Sequence, residues 1–246
     1  MVTVLDAEYP ALLKSALDLT HIPPILFVMG DLNILNRRTI AIIGSRNAKD
    51  ASLNFTRTTA EILSQHGANV ISGNARGVDR AAYEGAASVS DGHTTVVLPH
   101  GIRKLSKKQM LTLQPRIESG NVLLLSQFHP DAQWVVSRAM ERNNVVTGLA
   151  QVVIVAESDT KGGTWQGANG VLTRKQKPKP TLYVRKTTDA VLSGNEALIE
   201  RGGQPLGWPV EHFDDIVASL LDISETMQQK QQRIAKSPEQ SSLFAS

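Results

Sequence analysis

The stretch Thr39–Arg46 reads Thr-Ile-Ala-Ile-Ile-Gly-Ser-Arg, and Asn69–Asp79 reads Asn-Val-Ile-Ser-Gly-Asn-Ala-Arg-Gly-Val-Asp. In each, a short apolar run passes into small residues, then an arginine, then a segment able to open a helix. Continuous apolarity without alternation marks strands covered on both faces, as in parallel sheets. A glycine-rich turn from strand to helix leaves backbone N–H groups unpaired at the positive end of the helix dipole, which suits a phosphate. Two such turns with an arginine apiece point to a polyanion rather than a single small anion. The candidate phosphate-binding residues here are Gly44, Ser45, Arg46, Ser72, Gly73, Arg76 and Gly77. Asp79 reads as a structural acid, hydrogen-bonding loop amides or pairing with Arg76 or Arg80 to hold the turn.

Outward from these turns, strand-like runs recur at 94–98, 121–125, 151–155 and 181–185. Helical lengths separate most of them, among them 50–66, with an Ile62-Leu63 face, and the alanine-rich 77–90. The alternation predicts an α/β fold: a mainly parallel sheet with helices on both faces. Ligands of such sheets sit beyond the carboxyl ends of the strands, where both arginine turns fall. Residues 1–37 contain Tyr9-Pro10 and Pro23-Pro24 and read as an extended lead-in packed on the main body, which spans 38–209. After Trp208-Pro209, the residues Phe213, Ile216, Val217, Leu220 and Met227 space a C-terminal helix over 210–236, and 237–246 reads as a disordered tail.

Two later segments extend the site. Glu141-Arg142-Asn143-Asn144 precedes another buried strand; Arg142 offers a fork of donors to phosphate, and Asn143 either reads a base edge or orders a loop. The bland alternative is an arginine satisfying helix C-terminal carbonyls. Lys161-Gly162-Gly163-Thr164 follows the run ending near Glu157 and forms another amide-rich anion nest at a helix start. Trp165 beside it either stacks on a base or covers the core, the commoner use of tryptophan. Arg103-Lys104 with Lys107-Lys108, and Arg174, Lys175, Lys177 and Lys179, form two basic runs that matter only if they flank the groove.

Bulk properties narrow the classes. With 246 residues and a formal net charge of +3, the chain is long enough for one large α/β domain with appendages. A sequence pI near 9.2 permits a nucleic-acid partner. The absence of cysteine rules out disulfides and thiolate chemistry and fits a reducing cytoplasm. No apolar run approaches the roughly 20 residues of a membrane span, and the first residues lack signal-peptide regions. No Walker lysine motif, G-x-S-x-G elbow or H-E-x-x-H occurs, and the six histidines show no metal-ligand spacing. The expectation is therefore no enzyme activity, no catalytic residue, no metal and no cofactor, with Glu157 structural.

Read in order, these motifs resemble the DprA/Smf family, DNA-processing proteins of bacterial transformation. The match runs from Tyr9-Pro10 and Pro23-Pro24-Ile25-Leu26-Phe27 through both arginine turns, Arg142-Asn143 with Gly148-Leu149, and Glu157 with Gly163-Thr164. It closes at Gly194-Asn195 through Gly202. The resemblance implies an extended Rossmann-like fold, single-stranded DNA in a basic pocket with Arg46, Arg76 and Arg142 at the family's contact positions, a homodimer, and delivery of DNA to a RecA-type recombinase. Where that family carries an aromatic-proline pair this chain has Ala139-Met140, with Asn144 for a second arginine, Tyr83 for histidine and Gln127 for glutamate. It thus reads as a divergent member, with a mobile-element or defence setting as an alternative to transformation. Gln240-Ser241-Ser242-Leu243-Phe244 resembles the short motif that docks bacterial proteins on the sliding clamp, with Gln240, Leu243 and Phe244 as its anchors. The competing reading is a nucleotide sensor or phosphoribohydrolase on the same fold, although Trp165-Gln166-Gly167-Ala168 offers no glutamate after Thr164. A third is a scaffold that recruits the clamp or a recombinase. With aromatics at 4% of residues, electrostatics and amide contacts are expected to dominate over stacking.

Overall fold

A computed structural model describes residues 1–73, 75–176, 179–188, 190–207, 218 and 220–222. Nine strands form one sheet in the order β1-β2-β6-β5-β4-β3-β7-β8-β9. They are β1 (Val2–Thr3), β2 (Ile25–Met29), β3 (Thr39–Ile43), β4 (Asn69–Ser72), β5 (His93–Val97), β6 (Val122–Ser126), β7 (Val152–Val155), β8 (Thr181–Lys186) and β9 (Gln204–Gly207). Every pairing from β6 across to β9 is parallel, while β1–β2 and β2–β6 are antiparallel. Besides two short 3-10 helices, the sheet is joined by α1 (Ala11–Ala16), α2 (Asp50–Gln65), α3 (Val78–Ser88), α4 (Lys107–Glu118), α5 (Val136–Gly148), α6 (Gly162–Thr173) and α7 (Ser193–Glu200).

The strand residues divide by parity, as the pleat requires. Ile40 and Ile42 of β3 pack with Phe55 and Leu63 of α2 and Val78 and Ala82 of α3. Ala41 and Ile43 face the other way, toward Val145 and Val146 of α5 and Ala168 and Val171 of α6. All five β3 residues are buried. The two-sided burial that an unbroken apolar run implies is therefore realised. A smaller cluster around Leu113 of α4, with Val122 and Leu124 of β6, continues the first face.

Residues 1–37 do more than lie on this body. Pro10 sits at the N-cap of α1, where a proline's missing N–H costs nothing. The Pro23-Pro24 pair leads into β2, which hydrogen-bonds to β6 with Phe27 opposite Ser126. Tyr9 donates its hydroxyl to the Pro23 carbonyl at 2.7 Å and ties the two halves of the segment together. The extended character follows from the prolines, but the segment also carries a helix and enters the sheet through the antiparallel strands β1 and β2. The proposed helix over 210–236 lies almost wholly outside the described residues, as does the tail 237–246. Within it, Ala218, Leu220, Leu221 and Asp222 are helical, and both leucines are buried.

The order of strands places the site. From β3 the chain adds β4, β5 and β6 on one side, then crosses to place β7, β8 and β9 on the other. The carboxyl end of β3 is thus a topological switch point, where loops leave in opposite directions and open a crevice. Gly44-Ser45-Arg46 is the first turn out of that point.

Candidate functional site

The crevice is held open by hydrogen bonds between its loops. Ser45 N–H donates to the Glu157 carbonyl at 2.8 Å, and Val78 N–H donates to the Ser45 carbonyl at 3.2 Å, tying together the loops after β3, β7 and β4. The Glu157 carboxylate accepts from Lys49 N–H at 3.1 Å and from the Ser52 hydroxyl, so it caps α2 from the neighbouring loop. Arg185 in turn donates to Ser52 at 2.8 Å. Glu157 is therefore fastened to structural partners. Asn195 fixes the far side, accepting from Ser158 N–H at 2.8 Å and donating to the Ala156 and Arg185 carbonyls at 3.2 and 2.8 Å.

Gly77 shows why the second arginine turn needs its glycine. Its φ is +84°, and a Cβ would run into the Ser45 and Arg46 carbonyl groups. The two turns therefore touch backbone to backbone. Asn47 N–H donates to the Ser45 hydroxyl at 3.1 Å, and the Arg76 guanidinium donates to the Asn47 side-chain oxygen. Arg46 and Arg76 are both exposed at the rim. Arg46 makes no hydrogen bond or ion pair with the described residues; its guanidinium lies 5.5 Å from the centre of the Trp134 ring.

Two adjoining clefts result, sharing Arg46 and Ala75. The inner one, about 360 Å³, brings together Gly44, Ser45 and Arg46 with Arg142, Asn143 and the whole Lys161–Thr164 turn. The outer one, about 350 Å³, lies between Gly73 and Arg76 on one side and His100, Leu105 and Gln109 on the other, with Trp134 at its edge. Lys161, the N-cap of α6, makes no side-chain capping bond, so the first amides of that helix face the inner cleft uncapped. Lys161 is exposed, and the exposed Asp159 is the acid at the same rim.

Several expected site residues take other roles. Arg142 is buried, its side chain 4% exposed, and pairs with Asp79 at 3.3 Å. Asp79 thus finds its partner on α5. It does not pair with Arg76, which bonds to Asn47, or with Arg80, which pairs with Glu84 at 3.0 Å. The Arg142 guanidinium lies directly against Gly73, where any Cβ would collide with it. Asn143 donates to the Gly163 carbonyl at 3.2 Å, which orders the anion nest. Ser72 ends β4 fully buried and lines neither cleft, and Gly77 shapes the turn from behind. Trp165 is half-buried, packs on the core and carries Arg201 over its ring at 5.3 Å. The aromatic side chain at the cleft is Trp134, which the sequence reading passed over. A signal was present: a tryptophan outside any helical stripe, in a polar loop after Pro130-Asp131.

Of the two basic runs, one flanks the site. Residues 103–108 follow β5 at the carboxyl end of the sheet and lead into α4, and Leu105 and Gln109 line the outer cleft. The run beginning at Arg174 follows α6 back to the amino end of the strands, far from the crevice. Arg174 donates to the Thr147 carbonyl and hydroxyl, and burial pulls its pKa down to about 10. Near the site, burial raises the Tyr83 phenol pKa, with Arg116 and Arg80 opposing, so it is a neutral group at neutral pH. Among the described residues, no group of three or more His, Asp or Glu side chains is arranged to hold a metal ion, and no helix is long and apolar enough to cross a membrane.

The sequence family described as DNA recombination-mediator protein A matches residues 1–221. The chain belongs to that family. Protein Smf of Escherichia coli K12, a relative, is 30% identical over 161 residues, which are 65% of this chain and 42% of that protein. DNA processing protein DprA of Bacillus subtilis 168 is 28% identical over 226 residues, 91% of this chain and 73% of that one. The chain therefore spans less than half of the Smf length. Among solved structures, DprA from Streptococcus pneumoniae superposes with a TM-score of 0.70 at 25% identity, covering 83% of this chain and 70% of that one. DprA from Helicobacter pylori, described for its single-stranded DNA binding mode, superposes with a TM-score of 0.71 at 25% identity, covering 90% and 94%. The recombination-mediator family thus accounts for the fold and for the ordered motifs at the switch point.

Proposed function

We propose that this recombination-mediator family member binds single-stranded DNA in the paired clefts and acts in DNA processing and recombination. The observation that supports it is convergence. The Gly44–Arg46 turn, Arg76 and the uncapped Lys161–Thr164 helix start come from three separate loops and meet along one crevice at the carboxyl ends of parallel strands. Arg46, Arg76 and Lys161 supply charge to phosphates, and the amides of Gly163 and Thr164 supply neutral donors. Arg142 serves as a positioning residue, holding the α5 face against Gly73 and Asp79. Binding of this kind is tolerant of sequence and steeply dependent on salt.

Fluorescence anisotropy with labelled single- and double-stranded oligonucleotides over a salt series tests the assignment. Exchanging Arg46 and Arg76 together for alanine is expected to weaken single-strand binding by at least about ten-fold for every sequence, as two lost charge-assisted contacts imply. Unchanged affinity at moderate salt would overturn the site. Saturable binding of a mononucleotide, with its hydrolysis, would favour the nucleotide-sensor or phosphoribohydrolase reading instead.

The proposal extends to partners by family membership: a homodimer that delivers DNA to a RecA-type recombinase in the cytoplasm, in transformation or in a mobile-element or defence setting. It extends separately to the bacterial sliding clamp through Gln240, Leu243 and Phe244, which lie outside the described residues. A fusion of residues 237–246 to an inert carrier that fails to bind the clamp removes that arm alone.

A further inference from the structure

We infer that His100 is a fourth cation of the DNA site beside Arg46, Arg76 and Lys161, charged when its imidazole takes a proton, so that the outer cleft gains a proton as it gains a phosphate. This deepens the single-stranded DNA reading and rests on it. His100 follows β5 and lines the outer cleft together with Arg46 and Arg76. Imidazole is the side chain whose charge ordinarily changes between about pH 5 and about pH 8. The other described histidines, His21, His66, His93 and His129, line neither cleft.

Its loop is held in place from the neighbouring segment. The His100 carbonyl accepts from the Ser126 hydroxyl at 2.8 Å, Gly101 N–H donates to the Ala132 carbonyl at 2.9 Å, and Arg103 N–H donates to the Pro130 carbonyl at 3.1 Å. A Cβ on Gly101 would collide with the Pro130 and His129 carbonyls, so the two loops lie backbone against backbone. The ring is oriented as well. A carbonyl can only accept, so Nδ1, 2.9 Å from the Gly101 carbonyl oxygen, carries a hydrogen and donates it. Nε2 has no hydrogen-bond partner among the described residues. In the neutral ring it is a bare acceptor, of no use to a phosphate oxygen. A proton taken from solvent puts an N–H there while the Nδ1 bond stays, so the ring becomes a phosphate donor without turning.

The surrounding charge makes proton and phosphate depend on each other. No carboxylate among the described residues lines the outer cleft. Its cations come from facing loops, Arg46 after β3 and Arg76 after β4, with Arg103 and Lys104 on the loop of His100 itself and Lys107 and Lys108 at the start of α4. The acid on the loop between β6 and α5 is Asp131, which Arg103 holds at 3.6 Å. On α5, Arg138 donates to the Gln133 carbonyl and Glu141 accepts from Gln127. In the empty cleft the guanidiniums repel a further cation; a phosphate among them attracts one. The complex therefore binds more proton than the free chain, and by linkage affinity rises as pH falls through the imidazole range.

The test titrates the full chain, His100→Gln, His100→Lys and His129→Gln with a labelled oligothymidylate at fixed salt, from about pH 8 to about pH 5.5. Thymine and the phosphodiester carry no group that titrates in that span, so a pH effect belongs to the protein. The unaltered chain is expected to bind roughly five- to ten-fold more tightly at the lower pH, the effect of one added charge-assisted hydrogen bond. His100→Gln loses most of that gain while matching the unaltered chain at about pH 8, His100→Lys binds tightly with a flat profile, and His129→Gln keeps the original profile. Calorimetry at about pH 6.5 in two buffers of different ionisation enthalpy is expected to show proton uptake on binding by the unaltered chain and none by His100→Gln. A full pH gain in His100→Gln, an equal loss at both ends of the range, or no proton uptake by the unaltered chain overturns the role of His100 and leaves the DNA reading intact. Failure of the unaltered chain to bind the oligomer at any pH overturns both.

Discussion

Arg142 and Asp79 form a nearly dry ion pair beneath the inner cleft, their side chains 4% and 12% exposed. Arg142 Nε has no hydrogen-bond partner among the described residues, and its guanidinium rests on the bare Cα of Gly73. A buried pair of this kind contributes little net stability, but removing one member strands the other charge. Arg142→Ala is therefore expected to cost about 3–5 kcal/mol of unfolding free energy in a urea titration. Joint replacement of Arg142 by Met and Asp79 by Leu should return most of that loss. Arg46→Ala, at an exposed residue without an ion pair, should leave stability within about 0.5 kcal/mol. If Arg142→Ala keeps full stability yet loses DNA as Arg46→Ala does, its guanidinium contacts phosphate after all. The residue type alone could not settle this, because Arg142 and Asp79 stand 63 residues apart and only the fold shows them adjacent.

At the scale of elements, the turns keep their shape through bonds that cross from one loop to another. Glu157 is the clearest case: it caps α2 although it follows β7, and it lies 108 residues from Lys49. Glu157→Ala should lower stability by about 1–3 kcal/mol, the worth of hydrogen bonds to a charged group, and loosen the Gly44–Arg46 turn. The measurement is thermal unfolding beside a DNA titration, with stability expected to fall more than affinity. The same elements show which features could be read from the chain. The apolar runs at 39–43 and 69–72 coincide with β3 and β4, and 50–66 and 77–90 bracket α2 and α3, because local periodicity reports burial on two faces. Gly44, Arg46, Arg76 and Lys161–Thr164 were legible because strand-to-helix turns of a parallel sheet all emerge at one end. The partner of Asp79, the exposure of Trp134 and the strand within 25–29 were not, since each depends on contacts between distant segments that no local pattern encodes.

For the whole molecule, the arrangement of charge has a direction. The formal excess is only +3, too small to draw DNA by itself, so placement has to decide. Lys104, Lys107 and Lys108 are exposed where the chain turns into α4 at the outer cleft, on the carboxyl side of the sheet. Lys175 and Lys179 are equally exposed at the opposite end, and Lys179 bonds to the Leu172 carbonyl at 3.2 Å. Each lysine of either set adds the same unit to net charge, yet only the first set borders the crevice. A strand leaving the inner cleft past Arg46 and Arg76 would pass the first set and never meet the second. Each phosphate neutralised on a single strand contributes a slope of about −0.7 in log K against log salt. Replacing Lys104, Lys107 and Lys108 by alanine should therefore make that slope shallower by about 2, with the largest loss of affinity at low salt. The Lys175→Ala, Lys179→Ala double variant should keep the slope of the unaltered chain. Changes in both variants in proportion to the three and two charges removed would mean that the strand feels only the overall charge and that no path leads from the crevice over α4.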